Sequence, residues 1–233
     1  MFLKAVCYDG DIEAKVNEFN NLKHEDKKGE YWDSSDDKRL VLVKKYIKDH
    51  YIKVQDYTCP YCKQRVEVDH NAIWDLDHII AKDKSPQFLF EPENLCVSCK
   101  DCNVAKRNKN VLLNKKRKTF TKKSDDYIFI HPHFDDYYKH MKVLKNSLFF
   151  IPKDEKGRNT IEICGLLRFL YKFSEYGDVP LEIKIKIGSF HQQLMESSSA
   201  LEDNHILSCI GDLVEHGKQL SKKNILGVDN IAI

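Results

Sequence analysis

Two cysteine pairs, Cys59-Pro60-Tyr61-Cys62 and Cys99-Lys100-Asp101-Cys102, carry the strongest chemical signal in the chain. Four thiolates make a closed tetrahedral zinc site, and a two-residue spacer lets each pair grip the ion from one turn. Cys96 competes as a ligand. The 36 residues between the pairs exceed an ordinary zinc-ribbon spacing, so something is inserted there. The insert holds Asp75-Leu76-Asp77-His78-Ile79-Ile80, then Glu93-Asn94-Leu95. Asn103, Lys106 and Asn110 follow the second pair. A carboxylate and an amide oxygen are hard ligands suited to Mg²⁺ or Mn²⁺. A neighbouring imidazole can take a proton from water near neutral pH. The spacing leaves Asp75 and Asp77 as competing carboxylates.

Such residues work only if regular elements aim them. Trp74–Ile80 reads as a strand, which puts Asp75 and Asp77 on one face and His78 on the other. Asp83–Pro92 contains two prolines and reads as a loop, and Cys102–Asn110 reads as a short basic helix. Asn103 and Lys106, three apart, share a face of that helix. Upstream, residues 1–24 suggest a leader and one amphipathic helix, and Asn20–Asp37 reads as a polar loop. Leu40, Val43, Ile47 and Tyr51 recur at helical spacing, with Ser35 as the expected N-cap. Downstream, Tyr127–Ile130 and Leu148–Ile151 read as strands. The turn Asp154–Asn159 predicts a hairpin from Phe149–Ile151 to Ile161–Ile163. Leu181–Ile187 fits strand or helix, Ser197–Ser199 an interhelical loop, and no repeat is visible. The expected organisation is a helical region at 1–56, the cysteine-bounded module with its basic tail at 57–123, and a mixed, mainly helical region at 124–233.

Charge separates that tail from the rest. The net charge is only +2, yet Val104–Lys123 holds nine basic residues and no acid. The remaining chain has 29 basic against 36 acidic residues, a net of −7. A basic stripe on a weakly acidic body is the footprint of a polyanion site. Lys106, Arg107, Lys109, Lys115, Lys116, Arg117 and Lys118 are the candidate nucleic-acid contacts, with DNA ahead of RNA. At 42% hydrophobic and 11% aromatic the 233-residue chain can bury a core. No apolar run spans a bilayer and Met1–Gly10 has no signal-type segment, which predicts a cytoplasmic protein with no membrane partner. Close cysteine pairs in a reducing compartment favour metal over disulfide. Cys7, Cys164 and Cys209 are read as small buried apolar residues, His131 and His133 as ordinary loop histidines, and His70 as a local polar residue.

The ordered elements C-x-x-C, D-H-I, N-L and C-x-x-C-N-x-x-K across residues 59–109 resemble the HNH (ββα-metal) nucleases. The resemblance implies an α+β fold, a ββα-metal module with structural Zn²⁺ on Cys59, Cys62, Cys99 and Cys102, set in mainly helical flanks. It implies that His78 is the general base, that Asn94 braces the loop orienting His78, and that Asp77 and Asn103 hold a catalytic Mg²⁺ or Mn²⁺. The third family position, His or Asn in different members, is Asn103 here. The implied reaction is phosphodiester hydrolysis leaving 5′-phosphate ends. Residues 127–170 are more loosely similar to the extension that follows the HNH module in bacterial anti-phage nucleases of Septu and retron type. Some of those pair with an ABC-type ATPase, which makes such a subunit an expected partner. The competing expectation is a non-catalytic zinc-ribbon nucleic-acid-binding module, which leaves Asp77-His78 and Asn94 without a task.

Overall fold

The computed structural model describes residues 3–67, 71–144, 149–169 and 179–226. His70 and Leu148 lie outside them. The fold is α+β and divides into two compact units: residues 1–142 with 152–166, and residues 143–151 with 167–233. The boundaries expected after residues 56 and 123 both fall inside the first unit.

The first unit is built on α1 (Gly10–Asn20) and α2 (Lys38–Val54). Leu40, Val43, Ile47 and Tyr51 are the buried stripe of α2, as their spacing requires. Its N-cap is Asp37, whose carboxylate accepts from the Arg39 and Leu40 amides, so Ser35 does not cap it. Within the expected 20–37 loop, short 3₁₀ turns form at His24–Asp26 and Gly29–Asp33. The second turn places Tyr31 and Trp32 against Phe19 and Phe90 in an aromatic core. At the far end of α2, the Gln55 side chain donates to the Val97 carbonyl (2.7 Å) and accepts from the Val97 amide (2.9 Å). It therefore completes the edge of a strand and ties the helix to it.

That strand, β2 (Leu95–Cys99), pairs antiparallel with β1 (Trp74–His78), Trp74 opposite Cys99 and His78 opposite Leu95. The helix α3 (Lys100–Lys106) follows directly and packs on the pair. Strand and helix are each shorter than expected: β1 stops at His78 because the next residues turn into the loop, and α3 stops at Lys106 where Arg107 takes a positive φ. Two 3₁₀ turns, Pro86–Phe88 and Pro92–Asn94, use the prolines of the loop at their first positions.

The expected hairpin at 149–163 is absent. Residues Glu155–Ile163 are a helix, α5, following α4 (Tyr137–His140). Asp154 decides this, because its carboxylate accepts from the Gly157 amide as an N-cap, and Gly157, Thr160 and Ile161 then bury at helical spacing. After α5, Gly165 at φ +60° runs so close to α3 that a Cβ there would sit 2.9 Å from the Ala105 Cβ. Tyr127–Ile130 forms no strand; a single antiparallel bridge joins Tyr127 to Leu112. Strands β3 (Met141–Leu144) and β4 (Phe149–Pro152) form a second two-stranded sheet.

In the second unit, α6 (Leu181–Glu196) and α7 (Ala200–Leu226) are joined through Ser197–Ser199, which resolves 181–187 as helix. Phe149, Leu194, Ile206 and Ile210 form its apolar core. Among the described residues no helix is long and apolar enough to cross a membrane.

Candidate functional site

The four paired cysteines converge: the Sγ atoms of Cys59, Cys62, Cys99 and Cys102 all lie within 4.8 Å of one another. Cys62 and Cys99 are 3.8 Å apart, close to the edge of a tetrahedron with Zn–S bonds of about 2.3 Å. The Cys99 amide points at Cys59 Sγ (3.5 Å). Four thiolates with no oxygen donor among them fit zinc and leave no open position. Cys96 faces elsewhere, toward the Tyr61 hydroxyl at 3.7 Å. Of the remaining cysteines Cys164 is buried as expected, whereas Cys7 is exposed and Cys209 half-buried.

Beside this cluster, β1 and α3 meet in two rungs. Asp75 and Asp77 share one strand face, and Asn103 and Lys106 share one helix face. Asn103 Nδ2 donates to Asp75 Oδ2 at 3.1 Å, and Lys106 Nζ donates to Asp77 Oδ1 at 2.8 Å. The Lys106 ammonium also reaches the His78 carbonyl at 2.8 Å and is 1% exposed. The other Asp77 oxygen accepts from Tyr61 at 2.6 Å. Tyr61 belongs to the first cysteine pair, so one residue ties the thiolate cluster to Asp77. Burial and the Asp77 charge push its phenol well above the ordinary value, which keeps it a donor.

His78 points to the opposite face of β1. Its Nε2 lies 3.0 Å from the Leu89 carbonyl. A carbonyl only accepts, so Nε2 carries the proton and Nδ1 presents a lone pair. The residue is 7% exposed, and its ring packs edge-to-face with Trp32, centroids 4.6 Å apart. Burial is the main reason its pKa falls to about 4, against the opposing pull of Asp77. The Leu89 carbonyl is itself fixed. Asn94, fully buried, accepts from the Ile80 amide at 2.7 Å and donates to the Ile80 and Phe88 carbonyls at 3.2 and 3.1 Å. Its backbone carbonyl accepts from Ile79 at 2.8 Å. One amide thus clamps both ends of the loop that holds the imidazole.

The expected nucleic-acid contacts separate into two groups. Lys115, Lys116, Lys118 and Arg107 are exposed. Lys106 is buried against Asp77, Lys109 Nζ donates to the Glu162 and Ile163 carbonyls at the end of α5, and Arg117 pairs with Asp126 at 2.5 Å. His131 and His133 lie in a loop, as expected, and are buried there: the His133 amide donates to His131 Nδ1, and the His133 ring lies between the Leu3 and Leu95 carbonyls. Sequence reasoning did not single out Tyr61 or Trp32. Tyr61 appeared only as a spacer, and Trp32 lay in a segment that periodicity reads as loop.

Asp75, Asp77 and the Asn103 amide oxygen are hard donors on two facing elements, and a buried ammonium already rests on one of them. Such donors are of the type a hard divalent cation takes, and both Asp77 oxygens are bonded here, to Lys106 and Tyr61. Four thiolates and an oxygen-donor site on a strand–strand–helix unit define a class: residues 59–109 match the family model of HNH endonuclease. More broadly, the chain is similar to Septu protein PtuB of Bacillus thuringiensis, 28% identical over 126 residues, which is 54% of this chain and 43% of that protein. The similarity therefore spans under half the length of that relative. No solved structure gives a significant match.

Proposed function

We propose that the chain is a metal-dependent HNH endonuclease that hydrolyses phosphodiester bonds in nucleic acid, DNA ahead of RNA, with 57–123 as its functional module. The observation that carries this reading is the His78 imidazole, neutral, tautomerically fixed by Leu89, and set beside Asp77. At neutral pH its Nδ1 is free to accept. A water proton passes to Nδ1, the water oxygen bonds to phosphorus, and the P–O bond to the 3′ oxygen breaks, leaving a 5′-phosphate. Asp77 and Asn103 would hold a Mg²⁺ or Mn²⁺, with Asp75 beside them. A cation held there would supply charge neutralisation at the phosphate and the departing oxygen. Asn94 keeps the Leu89 carbonyl under the ring. Zinc on Cys59, Cys62, Cys99 and Cys102 ties α3 to the first cysteine turn, and Tyr61 passes that rigidity to Asp77. Lys115, Lys116, Lys118 and Arg107 supply exposed positive charge for the polymer backbone.

The similarity to Septu protein PtuB supports a role in anti-phage defence; an ABC-type ATPase as partner subunit rests on the looser family resemblance of residues 127–170. Plasmid cleavage by the zinc-loaded chain, alone and co-expressed with such an ATPase, in Mg²⁺ or Mn²⁺, tests the activity. Cleavage by neither preparation, with retardation of the plasmid, would favour the binding-module reading.

A further inference from the structure

The turn that ends α3 holds a residue its backbone does not favour. Arg107 sits at φ +42°, ψ −129°. That region is open to glycine and strained for residues with a Cβ. The turn is closed by the Lys109 amide on the Lys106 carbonyl at 3.0 Å, and the Arg107 amide completes α3 on the Asn103 carbonyl at 2.8 Å. Both backbone bonds would form with glycine at this position.

Three of the four side chains of this turn are fastened into the fold. Lys106 goes inward to Asp77 (2.8 Å). Asn108 Nδ2 donates to Asp83 Oδ2 at 2.8 Å. Lys109 Nζ binds the last carbonyls of α5 at 3.1 and 3.2 Å. Arg107, Asn108 and Lys109 are all exposed, but among the described residues the Arg107 side chain is the one of the four with no hydrogen bond or ion pair. A cation at a helix C-terminus gains a little from the dipole, but a residue in ordinary α conformation one position earlier gains as much. The side chain therefore has a use outside this chain. A planar five-donor fork suits a phosphodiester oxygen pair. Its backbone position is fixed, one residue from the lysine that touches Asp77.

Resting on the proposed nuclease reading, we propose that Arg107 is a substrate-positioning residue that grips a phosphate beside the scissile one, held in a strained turn next to the cation site. Arg107→Gly should then change stability and function in opposite directions. In the zinc-loaded full chain, the melting temperature should rise by roughly 2–5 °C, since a relieved backbone shifts a chain of this size by a few degrees. Arg107→Ala keeps the strain and should melt near the wild type. Binding is read in a His78→Gln background with short labelled duplex DNA and, separately, structured RNA. Both Arg107 variants should bind roughly tenfold more weakly, as expected for one charge-assisted contact. The slope of log affinity against log salt should fall by about 0.9 on duplex DNA. Arg107→Lys should keep the slope and lose part of the affinity.

Wild-type-like affinity in Arg107→Gly, or a melting temperature at or below that of Arg107→Ala, would overturn the inference and leave the nuclease reading standing. Failure of the parent protein to bind either polymer would overturn that reading, and the inference with it.

Discussion

His78 is held by one carbonyl and covered by one indole, and the two contacts do separate work. Leu89 fixes which nitrogen is free, and burial beneath Trp32 keeps the ring neutral. Asp77-His78-Ile79 marked the residue as a candidate base in the sequence; its surroundings were not legible, because Leu89 acts through a backbone carbonyl that no sequence pattern marks. The same logic applies to His131, fully buried and stacked on Phe134 at 4.2 Å, whose pKa burial pushes well below the ordinary value. As pH falls through ~6.5, the unfolded chain takes up a proton that the folded chain refuses, so stability present above that pH is lost below it. The folded protein should melt several degrees lower at about pH 5 than at about pH 7. His131→Asn, which does not titrate and keeps an acceptor near Nδ1, should lose part of that slope in a thermal melt series. An unchanged slope would assign the acid sensitivity to other groups, the zinc thiols first.

At the scale of elements, the strand period of two and the helix spacing of three put Asp75 with Asp77, and Asn103 with Lys106, on one face each in advance; that the two faces meet came from packing. Which partner meets which depended on register, and there Asn103 meets Asp75 while Lys106 meets Asp77. Lys106 was expected to reach toward nucleic acid; here it is the buried counter-charge of Asp77. Lys106→Met should therefore destabilise the zinc-loaded, Mn²⁺-free chain by about 3–5 kcal/mol, the usual cost of leaving one partner of a buried pair alone. Added Mn²⁺ should raise the melting temperature of Lys106→Met more than that of the wild type, because the ammonium then no longer competes for Asp77 Oδ1. Equal increments would mean that Asp77 takes no part in holding the cation. The segment 149–163 misled because an acidic, glycine-containing turn signal also describes a helix N-cap. Asp154 on the Gly157 amide settles the choice through a side-chain bond that strand periodicity ignores.

At the scale of the molecule, the basic stripe was visible as charge, but charge alone did not say which cations are free. Lys109 and Arg117 hold the first unit together through the end of α5 and through Asp126. Replacing Lys115, Lys116 and Lys118 together by Ala should reduce the salt slope of duplex binding, by about 0.9 for each phosphate that a lysine had neutralised, while leaving the melting temperature unchanged. Lys109→Ala should do the reverse, lowering the melting temperature with little effect on the slope. If the triple variant keeps the full slope, the exposed lysines face solvent or a protein partner. The division into two units was not legible, since the chain leaves the first unit after residue 142 and returns to it at 152. No shift in composition marks either crossing.

On the proposed reading, His78 moves a proton while the thiolate cluster only holds the fold. Because the ring is buried against Trp32, alanine would leave a cavity and confuse the two roles; His78→Gln keeps bulk and a donor without a proton-accepting nitrogen. The measurement is the plasmid-cleavage rate of His78→Gln in Mg²⁺ and in Mn²⁺, taken with its melting temperature and zinc content, beside the wild type and Cys99→Ser. The expected result is a rate lower by roughly 10²–10⁴, unrescued by either cation, with zinc content retained and the melting temperature nearly so. Cys99→Ser should lose zinc, stability and cleavage together. Full cleavage by folded, zinc-loaded His78→Gln would show that the imidazole is not the base.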